Sequence, residues 1–248
     1  MAASIVALLL AIDARAEVRN FYFTPVTGSH GLAQNTVNAL LQDEKGFVWV
    51  GTQGGLNRYD GEDYRLFTQL AGDAGSLPDN LVTALANGDP GEIWVGTDSA
   101  YVARLDLASG SFQRLLPAEL NHPNQPGKRV LALYYQHGHG LWITTDAGIE
   151  LLDPASGRRR SVLMQTMVSE FQSTYSYASD ARGMIWATTP SGLYRIDPVT
   201  LKVQRTAAPR GLQNILRDAR GDLWVAADGL YRLDPATGSL DRRWPAQT

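Results

Sequence analysis

The chain has 248 residues, 44% of them apolar and 19% charged, which excludes a disordered tail and a coiled coil. Its 22 basic and 25 acidic residues leave a net charge of −3, without the basic surplus of a nucleic-acid binder. Cysteine is absent, so a disulfide framework, a thiolate metal site and a cysteine nucleophile are excluded, while 24 Gly and 12 Pro among short apolar runs indicate an all-β fold.

In chain order, the first feature is Ser4 to Ile12, an apolar run of nine residues. It is shorter than the roughly twenty residues that span a bilayer. Ala14-Arg15-Ala16 follows, a small-x-small site of the kind signal peptidase cuts. A signal peptide over 1–16 and a mature start at Glu17 are therefore expected, although no Lys or Arg precedes the run. The alternative is a buried N-terminal segment. Phe21-Tyr22-Phe23-Thr24 then reads as a strand.

Beyond this point the sequence repeats. Trp49, Trp94, Trp142, Trp186 and Trp224 are 45, 48, 44 and 38 residues apart. Asp60, Asp106, Asp153, Asp197 and Asp234 follow them at intervals of 11, 12, 11, 11 and 10. Two positions matching in five units make an internal repeat. Each unit predicts four strands. An apolar stretch comes first, at 37–41, 82–85, 130–133, 171–177 and 212–216. A glycine-bearing turn follows, with Gly46, Gly91, Gly183 and Gly221; in the third unit His139 stands in that column. The tryptophan strand comes next, then a second turn, a third strand ending at the aspartate, and a turn such as Pro154-Ala155-Ser156-Gly157. A fourth strand closes the unit, as at 111–116 and 239–244.

Four antiparallel strands per roughly 44 residues make the blade of a β-propeller. The predicted fold is all-β, with five blades at about 32–70, 77–117, 127–164, 170–206 and 210–244 in a domain spanning 17–248. The recurring tryptophan is expected to pack between blades, because a lone meander leaves both faces wet. Helical repeats are disfavoured: no unit keeps a 3.6-residue apolar period.

Residues 31–61, GLAQNTVNALLQDEKGFVWVGTQGGLNRYDG, resemble the opening of two-component regulator propeller proteins, and GSLPDNLVTAL at 75–85 resembles their first inter-blade link. The resemblance extends over about 21–244. It implies an exported, periplasmic sensor region that precedes a membrane helix and an output module, commonly a histidine kinase or a diguanylate cyclase. Seven blades of this size need about 300 residues. An open arc of a larger propeller is therefore expected, with a closed five-bladed ring as the rival. The fifth unit, GDLWVAADGLYRLDPATG, also resembles streptogramin B lyase repeats, whose activity uses a His, a Glu and a metal. The stretch Leu233 to Gly238 with Trp244 resembles the docking segment of pyrroloquinoline quinone repeats. A stand-alone exported propeller, as a protein-binding scaffold or a lyase-like enzyme, is thus the alternative function.

The candidate chemistry is sparse. His137-Gly138-His139 offers two ligands where a zinc site needs three or four, and it occupies a turn. The five repeated aspartates read as turn caps rather than acid–base pairs. Arg158-Arg159-Arg160 reads as a solvated hairpin. A binding face follows from blade geometry. Loops between second and third strands, and links between blades, emerge on one side. The former carry Gln53, Asp98, Asp146, Ser191 and Asp228; the latter carry Asn80, Arg129 and Arg210. Tyr101, Tyr175 and Tyr177 add stacking surface. Such a ring suits a polar ligand such as a carbohydrate, with ordinary loop polarity as the plain alternative. The other expected partners are a second copy through the full-length protein and, through segments outside this chain, the membrane. Nucleic acid, cofactor, metal and catalytic residues are not expected.

Overall fold

The computed structural model describes residues 31–99, 102–115, 129–164 and 175–245. The expected signal segment, the strand at 21–24 and Tyr101 lie outside them. The described residues form five separate four-stranded antiparallel sheets. Blade one is β1 (Val37–Gln42), β2 (Val48–Thr52), β3 (Gly55–Tyr59) and β4 (Tyr64–Phe67). Blade two is β5 (Val82–Asn87), β6 (Glu92–Thr97), β7 (Val102–Asp106) and β8 (Phe112–Leu115). Blade three is β9 (Val130–Gln136), β10 (Gly140–Thr145), β11 (Gly148–Leu152) and β12 (Arg159–Met164). Blade four is β13 (Ser176–Ser179), β14 (Ile185–Thr189), β15 (Gly192–Ile196) and β16 (Val203–Thr206). Blade five is β17 (Asn214–Arg217), β18 (Leu223–Ala226), β19 (Gly229–Leu233) and β20 (Leu240–Pro245). The inner strand of blade four thus begins at Ser176, later than the apolar stretch at 171–177 suggests.

The second strands of blades one to four are buried along almost their whole length, and every residue of β10 is buried, whereas β18 of blade five alternates buried with half-buried positions. Both faces of a blade are covered by its neighbours, which is why these strands read as continuous apolar runs rather than alternations. Four apolar clusters fill the four spaces between consecutive blades. Trp49 and Leu56 meet Val82, Ile93 and Val95 of blade two. Trp94 meets Val130, Leu141 and Ile143 of blade three. Trp142 meets Ile185 and Ala187 of blade four, and Trp186 meets Ile215, Leu223 and Val225 of blade five. Each tryptophan therefore packs forward onto the next blade.

Trp224 has no following blade among the described residues, and it is half-buried where the other four are at most 2% exposed. Its ring lies against Trp244, centroids 5.8 Å apart, and Trp244 is 57% exposed. At the other end of the arc, Leu40 of β1 is 67% exposed. Inner strands pack β1 on β5, β5 on β9, β9 on β13 and β13 on β17, and no equivalent packing joins β17 to β1. The five blades form an open arc.

Close approach of the next blade's inner strand dictates glycine in the second strands of blades one and two, at Gly51 and Gly96. A Cβ on Gly96 would lie 2.5 Å from Val130 Cγ1. Gly96→Ala should lower stability by about 1–3 kcal/mol, the usual cost of overpacking, as read from denaturant midpoints. The blade-three turn departs from the repeat column. His139 N donates to Gln136 O at 3.0 Å, and Gly138 takes the positive φ of 78°. The bond spans the same three residues as Gly46 N to Asp43 O, but the positive φ falls one residue earlier, which leaves the last position of the turn open to histidine where other units have glycine. The turn after β15 departs in another way: Leu201 holds a φ of 57° where Gly110, Gly157 and Gly238 stand in other blades.

The repeated aspartates cap the turn between third and fourth strands. Asp106 accepts from Ala108 N at 3.0 Å and Ser109 N at 2.7 Å, and Gly110 N returns to its carbonyl at 2.8 Å. Asp153, Asp197 and Asp234 repeat the arrangement. In Asp60, Asp106 and Asp197 bonds from backbone N–H groups, and in Asp153 and Asp234 bonds from Ser156 and Thr237, hold the carboxyl below its usual 3.8. A depressed folded-state pKa stabilises above the unfolded value, and that stability is lost as pH falls through the folded value. Melting temperature should therefore hold between about pH 7 and pH 5 and fall progressively below about pH 4, with the fall reduced in Asp106→Asn. Thermal melts across that pH series check it.

Candidate functional site

The first structural site lies under three of the five tryptophan strands, and sequence reading missed it. Asp43 is 7% exposed; its Oδ2 accepts Trp49 Nε1 at 2.8 Å and its Oδ1 accepts Lys45 N and Phe47 N at 2.9 and 3.0 Å. Asp180 does the same for Trp186, Arg182 and Met184. Asp218 does so for Trp224, Arg220 and Asp222, and the indole bond lowers its pKa. One carboxylate thus fixes both the turn and the indole ring. The signal was legible: aspartate stands six residues before tryptophan in three of five units. Blades two and three carry Gly88 and Gln136 there, and Trp94 Nε1 and Trp142 Nε1 are buried without an acceptor among the described residues. Gln136 turns outward instead, its Nε2 donating to Gly183 O of blade four at 2.7 Å.

The turns on this side, where first meets second strand, are held to one another by polar groups. Tyr135 OH donates to Asp89 Oδ2 at 2.8 Å, and His137 Nδ1 lies 2.8 Å from Asp89 Oδ1. These partners lower the Asp89 pKa, His137 first, while burial and the aspartate push Tyr135 up to about 12. His137 is 87% exposed at its side chain and is engaged with blade two. Among the described residues no group of three His, Cys, Asp or Glu could hold a metal.

Arg159 departs from the solvated hairpin expected of Arg158 to Arg160. Its side chain is 14% exposed, lies 3.3 Å from Glu150 and donates to Leu115 O of blade two at 3.2 Å. The arginine ties blade three to blade two through this bond.

On the opposite side lie the hairpins and links expected to form a binding face. The structure brings some of their residues together. Arg129, just before β9, forms an ion pair with Asp98 in the blade-two hairpin. Asn80 Oδ1 accepts Gln69 N at 2.7 Å, so this amide braces its own link. Gln53 is exposed at the tip of the blade-one hairpin. Asp146 is half-buried near Tyr175, whose pKa rises by burial and then by the charge of Asp146. Tyr177 is engaged in the blade interface rather than offered for stacking: its hydroxyl bonds Thr144 and its ring lies 6.0 Å from that of Tyr134. Asp228 accepts Tyr231 OH at 2.7 Å and lies 3.9 Å from Arg242. Ser191 and Arg210 share a groove of about 590 Å³ where blade four meets its link to blade five.

Comparison with known proteins agrees with this architecture. The Two component regulator propeller family pattern matches residues 31–54 and 76–99. A stretch of 68 residues is 38% identical to Histidine kinase P4 of Formosa agariphila, covering 27% of this chain and 5% of that protein. The extracellular domain of a hybrid two component system of B. thetaiotaomicron superposes with a TM-score of 0.67 at 22% identity, over 88% of this chain and 31% of that one. Virginiamycin B lyase from Staphylococcus aureus superposes with a TM-score of 0.64 at 14% identity, over 84% of this chain and 70% of that one. At such identities these superpositions establish the β-propeller fold. The chain spans under a third of the extracellular domain it matches and a small fraction of the kinase.

Proposed function

We propose, from a chain that carries repeats of the two component regulator propeller family, that it is an extracytoplasmic sensing or interaction propeller of a bacterial signalling protein. The observation that carries the reading is the 38% identity to a histidine kinase over 68 residues, supported by the superposition on extracellular domains of two component systems. Its location is periplasmic, and its output is a histidine kinase or diguanylate cyclase module outside these 248 residues. The likeness to the lyase is one of fold and carries no activity.

The structure suits a transmitter more than a catalyst. A signal must come from differential affinity for two arrangements of the protein. Stacked blades are joined by four apolar interfaces, through which a ligand at one edge can bias how the arc sits against a partner. Alkaline phosphatase fused after Thr248 tests the location, since the enzyme is active only after export. An active fusion is expected, and a silent fusion that accumulates in the cytoplasm overturns the reading. Output measured from the full-length protein, with residues 31–245 replaced by an unrelated propeller, should lose its response to stimulus.

A further inference from the structure

Blades four and five share one device with a single difference. In blade five, Arg242 Nη2 donates to Asp228 O at 2.8 Å, and the Asp228 carboxylate lies 3.9 Å from the same guanidinium. In blade four, Arg205 Nη2 donates to Ser191 O at 2.6 Å, so Ser191 stands where the other blade has its counter-charge. Among the described residues no carboxylate pairs with Arg205. Glycine makes room for it: a Cβ on Gly192, whose φ is 149°, would meet Arg205 Nε at 2.9 Å. Arg205 is exposed and lines the groove of about 590 Å³. The link to blade five adds a second cation, Arg210, and the end of β16 adds Thr206, with Pro190 and Pro209 also lining the groove.

No acidic residue lines this groove. Three other grooves among the described residues contain acids. That between blades two and three, about 450 Å³, pairs Arg104 and Arg160 with Asp89 and Asp153. That on blade five sets Arg232 and Arg243 against Asp222, Asp234 and Asp241. In a chain of net charge −3, one groove with two guanidiniums and no carboxylate is an anion site in waiting.

We infer that this groove binds a hydroxylated carboxylate of acidic-sugar type, with Arg205 and Arg210 on the carboxylate and Thr206 facing its hydroxyls, while the Ser191 hydroxyl is held by Thr189 Oγ1 at 2.8 Å and Tyr194 OH at 3.0 Å. Guanidinium forks match planar carboxylates in two parallel bonds, and proline rings accept the apolar face of a sugar ring. The groove volume falls in the range of small-ligand sites. The inference rests on the reading of this propeller as a ligand-binding module and names the ligand class.

Titration calorimetry of the 248-residue chain tests it, with trigalacturonate, maltotriose and sodium sulfate as probes. Saturable binding of trigalacturonate alone is expected. Arg210 is exposed, so Arg210→Ala should leave the melting temperature unchanged and weaken binding by at least about tenfold, the loss of one charge-assisted contact. Arg210→Lys should retain part of it. Ser191→Asp, which transplants the blade-five arrangement, should abolish binding, and Asp228→Ser in blade five should not weaken it. Equal affinity for maltotriose, equally tight sulfate, or unchanged binding in Arg210→Ala would each overturn the inference. So would the absence of heat with trigalacturonate. If the full-length protein still responds to stimulus in that last case, the groove assignment fails and the sensor reading stands.

Discussion

Trp186→Ala should destabilise the protein by about 4 kcal/mol, while Trp224→Ala, the same change in the same repeat position, should cost about 1–2 kcal/mol. Trp186 is fully buried among Ile215, Leu223 and Val225 of the next blade, so truncation leaves a large cavity between two sheets. Trp224 is half-buried and touches Trp244 of its own blade, so truncation exposes rather than excavates. In stacked repeats the interface term couples neighbours. Loss of Trp186 should therefore free blade five first, with amides of β17–β20 exchanging faster than those of β5–β8. Hydrogen exchange and denaturant midpoints read both effects. Equal costs at the two tryptophans would contradict the forward-packing arrangement.

Asp180→Ala is expected to cost about 3 kcal/mol, against under about 1 kcal/mol for Asp153→Ala. Asp180 is 4% exposed, and its removal leaves the Trp186 indole N–H and the Arg182 and Met184 amides without their acceptor. Unsatisfied buried donors carry the full desolvation cost, whereas the exposed Asp153 turn is rescued by water. Asp180→Asn keeps one acceptor oxygen and should fall between the two. Urea midpoints for the three variants, at constant slope, make the comparison.

The contrast between these aspartates shows what a linear reading can and cannot reach. Asp153 and its four counterparts were legible as caps because the turn is local: donor and acceptor lie within four residues. Asp180 was legible in principle, six residues before its tryptophan. Its column is broken by Gly88 and Gln136, and at Gln136 the side chain reaches a different blade. Arg159 read as part of a solvated run, because its partners are Glu150, nine residues earlier, and a carbonyl 44 residues earlier. The candidate face was read as a set of hairpins and links. Which members meet was not legible: Asp98 is joined to Arg129, and Ser191 shares a groove with Arg210.

Two kinds of information separate along this line. The sequence by itself determined the repeat, its five tryptophan strands, the four-stranded blades and the capped turns. All of these follow from hydrogen bonds and conformational preferences spanning a few residues, repeated often enough to be unmistakable. Only the tertiary structure decided which tryptophans are buried, that the blades stand in an open arc, and that Arg205 lies without an acid beside it. Burial and charge pairing depend on which blade stands next, at a separation of roughly 40 residues, and no local preference encodes a neighbour that far away.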